Sequence, residues 1–144
     1  MDAIVLLKNH VDERFGALPL QEQLFEISMV TTQEEMVDLE QNLADQEYLD
    51  KFKSRISRIG GEDFGSAIIE IMDRYFSKSF LSLCNMEGAN GKFAFKNSLA
   101  YKAISDVITT RYSSTTDHDV AKKVQNKLRN APAQKGGLGR KKKN

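Results

Sequence analysis

Apolar residues recur at every third or fourth position through most of the chain, and this spacing is typical of one face of an α-helix. The broadest such face follows Asp63, a good helix N-cap residue, and we expect it to form the central core helix. Its inward positions are Phe64, Ala67, Ile68, Ile71, Met72, Tyr75 and Phe76. No long stretch alternates with the period of two that marks a half-buried strand. The pattern therefore predicts an all-α protein, with a single compact domain of five to six helices.

The first half of the chain carries polar residues where helices are expected to begin. Thr32 and Glu35 have the spacing of a capping box, in which the hydroxyl accepts a free backbone N–H and the carboxylate reaches back. Asp45 is expected to cap the next helix, whose apolar residues also recur every three or four positions. The pair Gly60-Gly61 is predicted to end that helix, because glycine enters the left-handed conformation at little cost.

A glycine-rich loop follows the central helix. The loop at residues 88–92 lacks the preceding strand, the spacing and the Ser or Thr of a nucleotide-binding P-loop. We therefore interpret it as a turn, in which Lys92 provides a single phosphate contact. Phe93 and Phe95 are expected to anchor this loop in the core. The other interpretation is that the two rings stack on exposed bases.

Two more helices are predicted after this loop. Asn97 or Ser98 begins the first, which runs to about Tyr112. Thr116 caps the second, and Pro132 ends it because proline cannot continue a helix. The inward stripe of this last helix consists of Val120, Val124, Leu128 and Ala131. Since the stripe is narrow, most of the helix surface is left free for other contacts.

Composition divides the chain into three parts. Residues 1–17 are expected to form an amphipathic helix, which either folds onto the domain or supplies half of a homodimer contact. Residues 18–132 form the predicted helical domain, and residues 133–144 are predicted to be a disordered basic tail. No stretch is apolar for long enough to span a membrane.

The total formal charge of +1 hides a strong division along the chain. Residues 1–63 hold 6 Lys and Arg against 14 Asp and Glu, a charge of −8, whereas residues 64–144 hold 15 against 6, a charge of +9. Such an asymmetry favours a polyanionic partner for the basic half. The alternative is an intramolecular charge dipole that has no partner.

Little in the sequence points to catalysis or to a metal. Cys84 is the one cysteine, which excludes an intramolecular disulfide and a cysteine-based zinc site, and its apolar neighbours predict burial rather than reactivity. His10 and His118 lie far apart and have no partners at ligand or triad spacing. We therefore expect no enzyme, no cofactor, no metal and no small-molecule substrate. The cysteine usage fits a reducing, intracellular compartment.

The last predicted helix is the best candidate for a nucleic-acid interface. A helical projection places four polar side chains opposite the apolar stripe and two lysines on the flank. The polar side chains are Lys122, Gln125, Asn126 and Arg129, the flanking lysines are Lys123 and Lys127, and the tail adds Arg140, Lys141 and Lys142. Gln and Asn pair with adenine edges and Arg with guanine, while lysines contact phosphates. The competing interpretation is an ordinary solvated helix face.

Several short segments occur in an order that resembles a known family. They are Gly60-Gly61, Ala67-Ile68-Ile69-Glu70-Ile71-Met72, Cys84-Asn85-Met86-Glu87-Gly88, Gly91-Lys92-Phe93-Ala94-Phe95, Tyr101-Lys102-Ala103-Ile104 and Leu128-Arg129-Asn130-Ala131-Pro132. Over roughly residues 18–137, this order resembles an uncharacterised domain of invertebrate (arthropod-type) proteins, many of them related to chromatin or transposons. It is more distantly similar to the BEN domain, an all-helical DNA-binding module.

This resemblance implies a nuclear, DNA-binding module of a transcription or chromatin adaptor. The last helix, residues 117–131, would read duplex DNA, and Lys92 and the tail would assist it. The alternative is a module for protein–protein interaction or self-association that binds no nucleic acid. In that case the acidic helices of residues 32–59, or the helix of residues 1–17, would dock a partner or a second copy.

Overall fold

The computed structural model describes residues 26–133, and these residues form a helical domain. Its α-helices are α1 (Gln33–Leu43), α2 (Gln46–Ser57), α3 (Phe64–Tyr75), α4 (Lys78–Leu81), α5 (Leu99–Arg111) and α6 (Asp117–Asn130). The prediction of an all-α fold is thereby confirmed. None of these helices is long and apolar enough to cross a membrane. The predicted helix of residues 1–17 and, apart from Ala133, the predicted tail lie outside the described residues.

Helix α5 lies at the centre of the domain, where it contacts α1, α2, α3 and α6. Asp106 and Val107 line the groove between α5 and α2, whereas the hydroxyl of Ser105 donates to Asp117 of α6 (3.4 Å). Helices α2 and α6 therefore pack on different faces of α5. The predicted core helix α3 is confirmed as such, because Ile68 and Ile71 on it are fully buried.

The predicted N-caps are confirmed at the start of every long helix in the described part. The capping side chains are Thr32, Asp45, Asp63, Ser98 and Thr116. At α1, however, the Glu35 carboxylate accepts from the backbone N–H (2.7 Å) and the hydroxyl (2.8 Å) of Thr31, one residue before the N-cap. These bonds lower the pKa of Glu35.

The predicted role of the glycine pair is wrong. Helix α2 ends three residues before Gly60, and neither Gly60 nor Gly61 has a positive φ. Gly61 is required for a different reason, since a Cβ there would lie 2.5 Å from the backbone nitrogen of Ala67. The end of α5 holds this turn in place: Tyr112 Oη donates to the Gly61 carbonyl (3.0 Å), and Arg111 Nη1 donates to that of Ile59 (2.7 Å).

A two-stranded parallel sheet, which the hydrophobic pattern did not predict, encloses the glycine-rich loop. Strand β1 (Cys84–Asn85) pairs with β2 (Phe93–Ala94). The loop between them turns through left-handed conformations at Gly88, Asn90 and Gly91. Phe95 after β2 is fully buried, and Phe93 is partly buried against the core. The prediction that these rings anchor the loop is confirmed.

Candidate nucleic-acid interface

Helix α6 begins with a complete capping box. The Asp119 N–H donates to Thr116 Oγ1 (3.1 Å), and the Thr116 N–H donates to the Asp119 carboxylate (3.0 Å). These hydrogen bonds lower the pKa of Asp119. Asp117 and Asp119 lie in the first turn, where the positive end of the helix dipole stabilises them, and the rest of α6 contains no acidic residue. The following turns are therefore basic or neutral along their whole length.

The inner stripe of α6 is buried as predicted. Val120 and Val124 are fully buried, and Leu128 is 3% exposed. On the opposite side Lys122, Gln125 and Arg129 are exposed, while Asn126 is half-buried. The Arg129 guanidinium donates to the side-chain oxygen of Asn126 at 3.4 Å, and this contact aligns the two polar side chains on the outer face.

Lys127 does not lie on an exposed flank, and that prediction is wrong. Its residue is only 6% exposed, and its Nζ donates to Asp73 Oδ1 of α3 at 2.6 Å. Position 127 lies three residues after Val124, so it continues the inner stripe of the helix. The ammonium group is consequently occupied inside the protein and is not available as a surface phosphate contact.

Lys123 lies between the outer face of α6 and the first turn of α3. A Cβ on Gly65 would lie 3.1 Å from Lys123 Cε, so the lysine stem uses the space that the missing side chain leaves. The pKa of Asp63 is lowered chiefly by hydrogen bonds from Ser66, and the charge of Lys123 is a further cause. The lysine is half-buried and faces a groove between the two helices.

This groove brings together residues of α3 and α6, which lie far apart in the sequence and share no pattern. Asp73 accepts hydrogen bonds from Lys127 and also from Lys78 at 3.1 Å. Burial raises the pKa of Asp73, but the bonds to the two lysines outweigh burial and the pKa is lowered overall. Asp73 therefore remains charged at neutral pH. Only the spacing of Lys127 with Val120 and Val124 could have signalled the groove, because its other residues come from separate helices.

Of the remaining predicted site residues, the structure describes only Lys92, and it does not bring this lysine to α6. Lys92 is exposed in the loop before β2. Within residues 26–133 it shares no hydrogen bond or ion pair with α6. Arg140, Lys141 and Lys142 lie outside the described residues.

The single cysteine lies in the core of the described domain. Cys84 is buried, its Sγ donates to the Phe80 carbonyl (3.4 Å), and burial raises the pKa of its thiol to about 12. The predicted burial of Cys84 is therefore confirmed. Within residues 26–133, no three His, Cys, Asp or Glu side chains converge as metal ligands would.

A second, more open groove of about 680 Å³ lies between α2 and α5. It contains two acidic and two basic side chains, and Lys53 pairs with Asp106 at 3.1 Å. Because its formal charges cancel, this groove favours neither a polyanion nor a polycation. The α3–α6 side is the more basic of the two surfaces.

Comparison with known proteins gives a family but no activity. Residues 21–110 match a domain of unknown function (DUF4806), and since this is more than half of the chain, the protein belongs to that family. The resemblance to an uncharacterised domain is confirmed at this level; the similarity to the BEN domain and the invertebrate origin stay predictions. No curated protein and no solved structure gives a significant match. Helix α6 lies beyond the matched residues.

Proposed function

We propose that the protein is a DNA-binding module in which the outer face of α6 enters the major groove of duplex DNA. The module would belong to a nuclear transcription or chromatin adaptor. The observation that supports this proposal is the division of α6 into a buried apolar stripe and an exposed polar face. A helix fixed to the domain along one side presents the other side in a constant orientation, which groove reading requires.

The chemistry of the outer face fits this role. Arg129 and Gln125 are exposed and match the donor and acceptor patterns of guanine and adenine in the major groove. Lys122 is exposed beside them and fits a phosphate contact. The 14 residues of α6 span about 21 Å at 1.5 Å per residue, and the major groove is wide enough to admit a helix.

The proposal predicts that base and phosphate contacts separate on mutation. A preferred duplex is first selected from a random-sequence pool, and its binding is compared with that of a scrambled duplex by fluorescence anisotropy. Arg129→Ala should weaken binding to the preferred duplex by about 1–3 kcal/mol and affect the scrambled duplex much less. Lys122→Ala should weaken both alike and reduce the slope of log affinity against log salt by about one.

Lys51→Ala provides the matched control. Lys51 lies on α2, which packs on a different face of α5, and its charge pairs with Glu47 at 3.5 Å. This variant should bind both duplexes as wild type does. If a variant with alanine at Lys122, Gln125, Asn126 and Arg129 also binds both duplexes unchanged, α6 is not the reading helix. The protein-interaction alternative then becomes the better account.

A further inference from the structure

The groove between α3 and α6 is small, polar and positively charged. It has a volume of about 360 Å³. Its walls are formed by Ile69, Asp73, Lys78, Lys123, Asn126, Lys127 and Asn130. Three lysines against one aspartate leave a formal charge of +2, and two carboxamides provide further hydrogen-bond donors. This combination of a cavity, excess positive charge and neutral donors is suited to an anion.

A single carboxylate organises the floor of the groove. Asp73 Oδ1 accepts from both Lys127 Nζ (2.6 Å) and Lys78 Nζ (3.1 Å). Each ammonium group has three N–H donors, so each uses only one of them on Asp73. Neither ammonium group forms another hydrogen bond or ion pair within residues 26–133. The carboxylate of Asp73 therefore holds both ammonium groups in place, and a net positive charge remains.

The groove adjoins the outer face of α6, which is the face proposed to read the bases. Asn126 belongs to both, because it lies on the outer side of α6 and also lines the groove. Lys123, three residues earlier and about 60° away around the helix axis, faces the groove from the same helix. A DNA strand whose base edges contact the outer face of α6 would thus carry its sugar–phosphate backbone past the groove.

We propose that the α3–α6 groove binds a phosphodiester group of the DNA backbone, with Lys78 and Lys123 as its cationic ligands. The buried Lys127–Asp73 pair positions Lys78 rather than contacting the phosphate directly. The inference rests on the proposed function and deepens it, because a phosphate held between two helices fixes the register of α6 in the major groove. It also assigns a role to Lys78, which lies outside α6.

The test uses Lys78→Ala in the full chain, since this residue belongs to the groove but not to the base-reading face. The probe is a 16-base-pair duplex measured by fluorescence anisotropy over a salt series. We expect the variant to weaken preferred and scrambled duplexes by the same factor and to flatten the salt slope by about one. Lys51→Ala serves as the control and should leave the slope unchanged. Lys78→Gln is a second variant, which keeps a hydrogen-bond donor for Asp73 and is therefore expected to remain folded. It should flatten the salt slope by the same amount, because it removes the same charge.

A parallel titration with inorganic phosphate separates the two sources of a phosphate group. It follows the backbone amide NMR signals of the groove at constant ionic strength. Suppose that the wild-type protein binds duplex DNA but both Lys78 variants keep the wild-type salt slope. The assignment of the groove is then overturned, while the proposed function stands. If wild type does not bind duplex, both are overturned. Shifts caused by phosphate alone would then reassign the groove to a free anion.

Discussion

At the scale of single residues, Lys127 shows how a charged side chain can belong to a buried stripe. It lies seven residues after Val120 and three after Val124, so it shares their face of the helix. Its long stem lets the ammonium group reach Asp73, which is 54 residues away in sequence. The burial of position 127 could have been read from the spacing alone. Its partner could not, because only the docking of α3 against α6 brings the two together.

The Asp73–Lys127 pair should respond asymmetrically to mutation. Asp73→Ala leaves the buried ammonium without a carboxylate, and we expect a loss of about 2–3 kcal/mol, below the cost of a fully buried pair because the Asp73 side chain is 36% exposed. Lys127→Met fills the space with an apolar stem and leaves Asp73 paired with Lys78, so it should cost under about 1 kcal/mol. Urea unfolding of the two variants and the wild type measures both losses of folding free energy. Equal losses would contradict this account of the groove floor.

At the scale of elements, α1 stabilises the beginning of the central helix α5. The two carboxylate oxygens of Glu40 accept from the backbone N–H groups of Leu99 (2.7 Å) and Ala100 (3.0 Å). Ser98 Oγ accepts from the N–H of Tyr101 (3.0 Å), so three of the N–H groups that a helix start leaves free are satisfied. The sequence left the local cap open between Asn97 and Ser98, and the structure has Ser98. Nothing in the sequence pointed to Glu40, because a cap supplied by another helix depends on packing.

Removal of this tertiary cap should destabilise the domain measurably. Glu40→Ala leaves two partly buried N–H groups without an acceptor, and we expect a loss of about 1–3 kcal/mol. Glu40→Gln retains one acceptor oxygen and should lose less. Asp38→Ala is the control, since Asp38 is exposed on the same helix and its removal should change stability by at most about 0.5 kcal/mol. The idea fails if Glu40→Ala and Asp38→Ala unfold at the same urea concentration.

At the scale of the whole molecule, local signals were sufficient for the long helices and insufficient for the contacts between them. Periodicity and N-caps predicted α1, α2, α3, α5 and α6, since these depend on neighbouring residues. The β1–β2 pair has two residues in each strand, too few for an alternating pattern. For the candidate site, the sequence predicted the outer face of α6. It could not predict the groove, whose lining residues come from different helices.

The folding unit should extend beyond the residues that define the family. The family match ends at residue 110, yet Val120, Val124 and Leu128 of α6 are buried in the core. Each buried Val or Leu contributes about 1.5–3 kcal/mol, so their sum is comparable with the net stability of a small domain. We therefore expect a chain that ends at Thr115 to lose cooperative thermal unfolding by circular dichroism.

A chain that ends at Ala133 is the matched comparison for this truncation, because the two differ only in residues 116–133. A full chain with alanine at Lys122, Gln125 and Arg129 tests the other side of the same helix. Those positions are exposed, so this variant should unfold cooperatively at nearly the wild-type midpoint. Cooperative unfolding of the chain ending at Thr115 near the midpoint of the chain ending at Ala133 would mean that α6 is an appended helix. Loss of folding in the shorter chain alone would show that the inner side of α6 holds the domain together, whereas the exposed side chains of its outer side contribute little to stability.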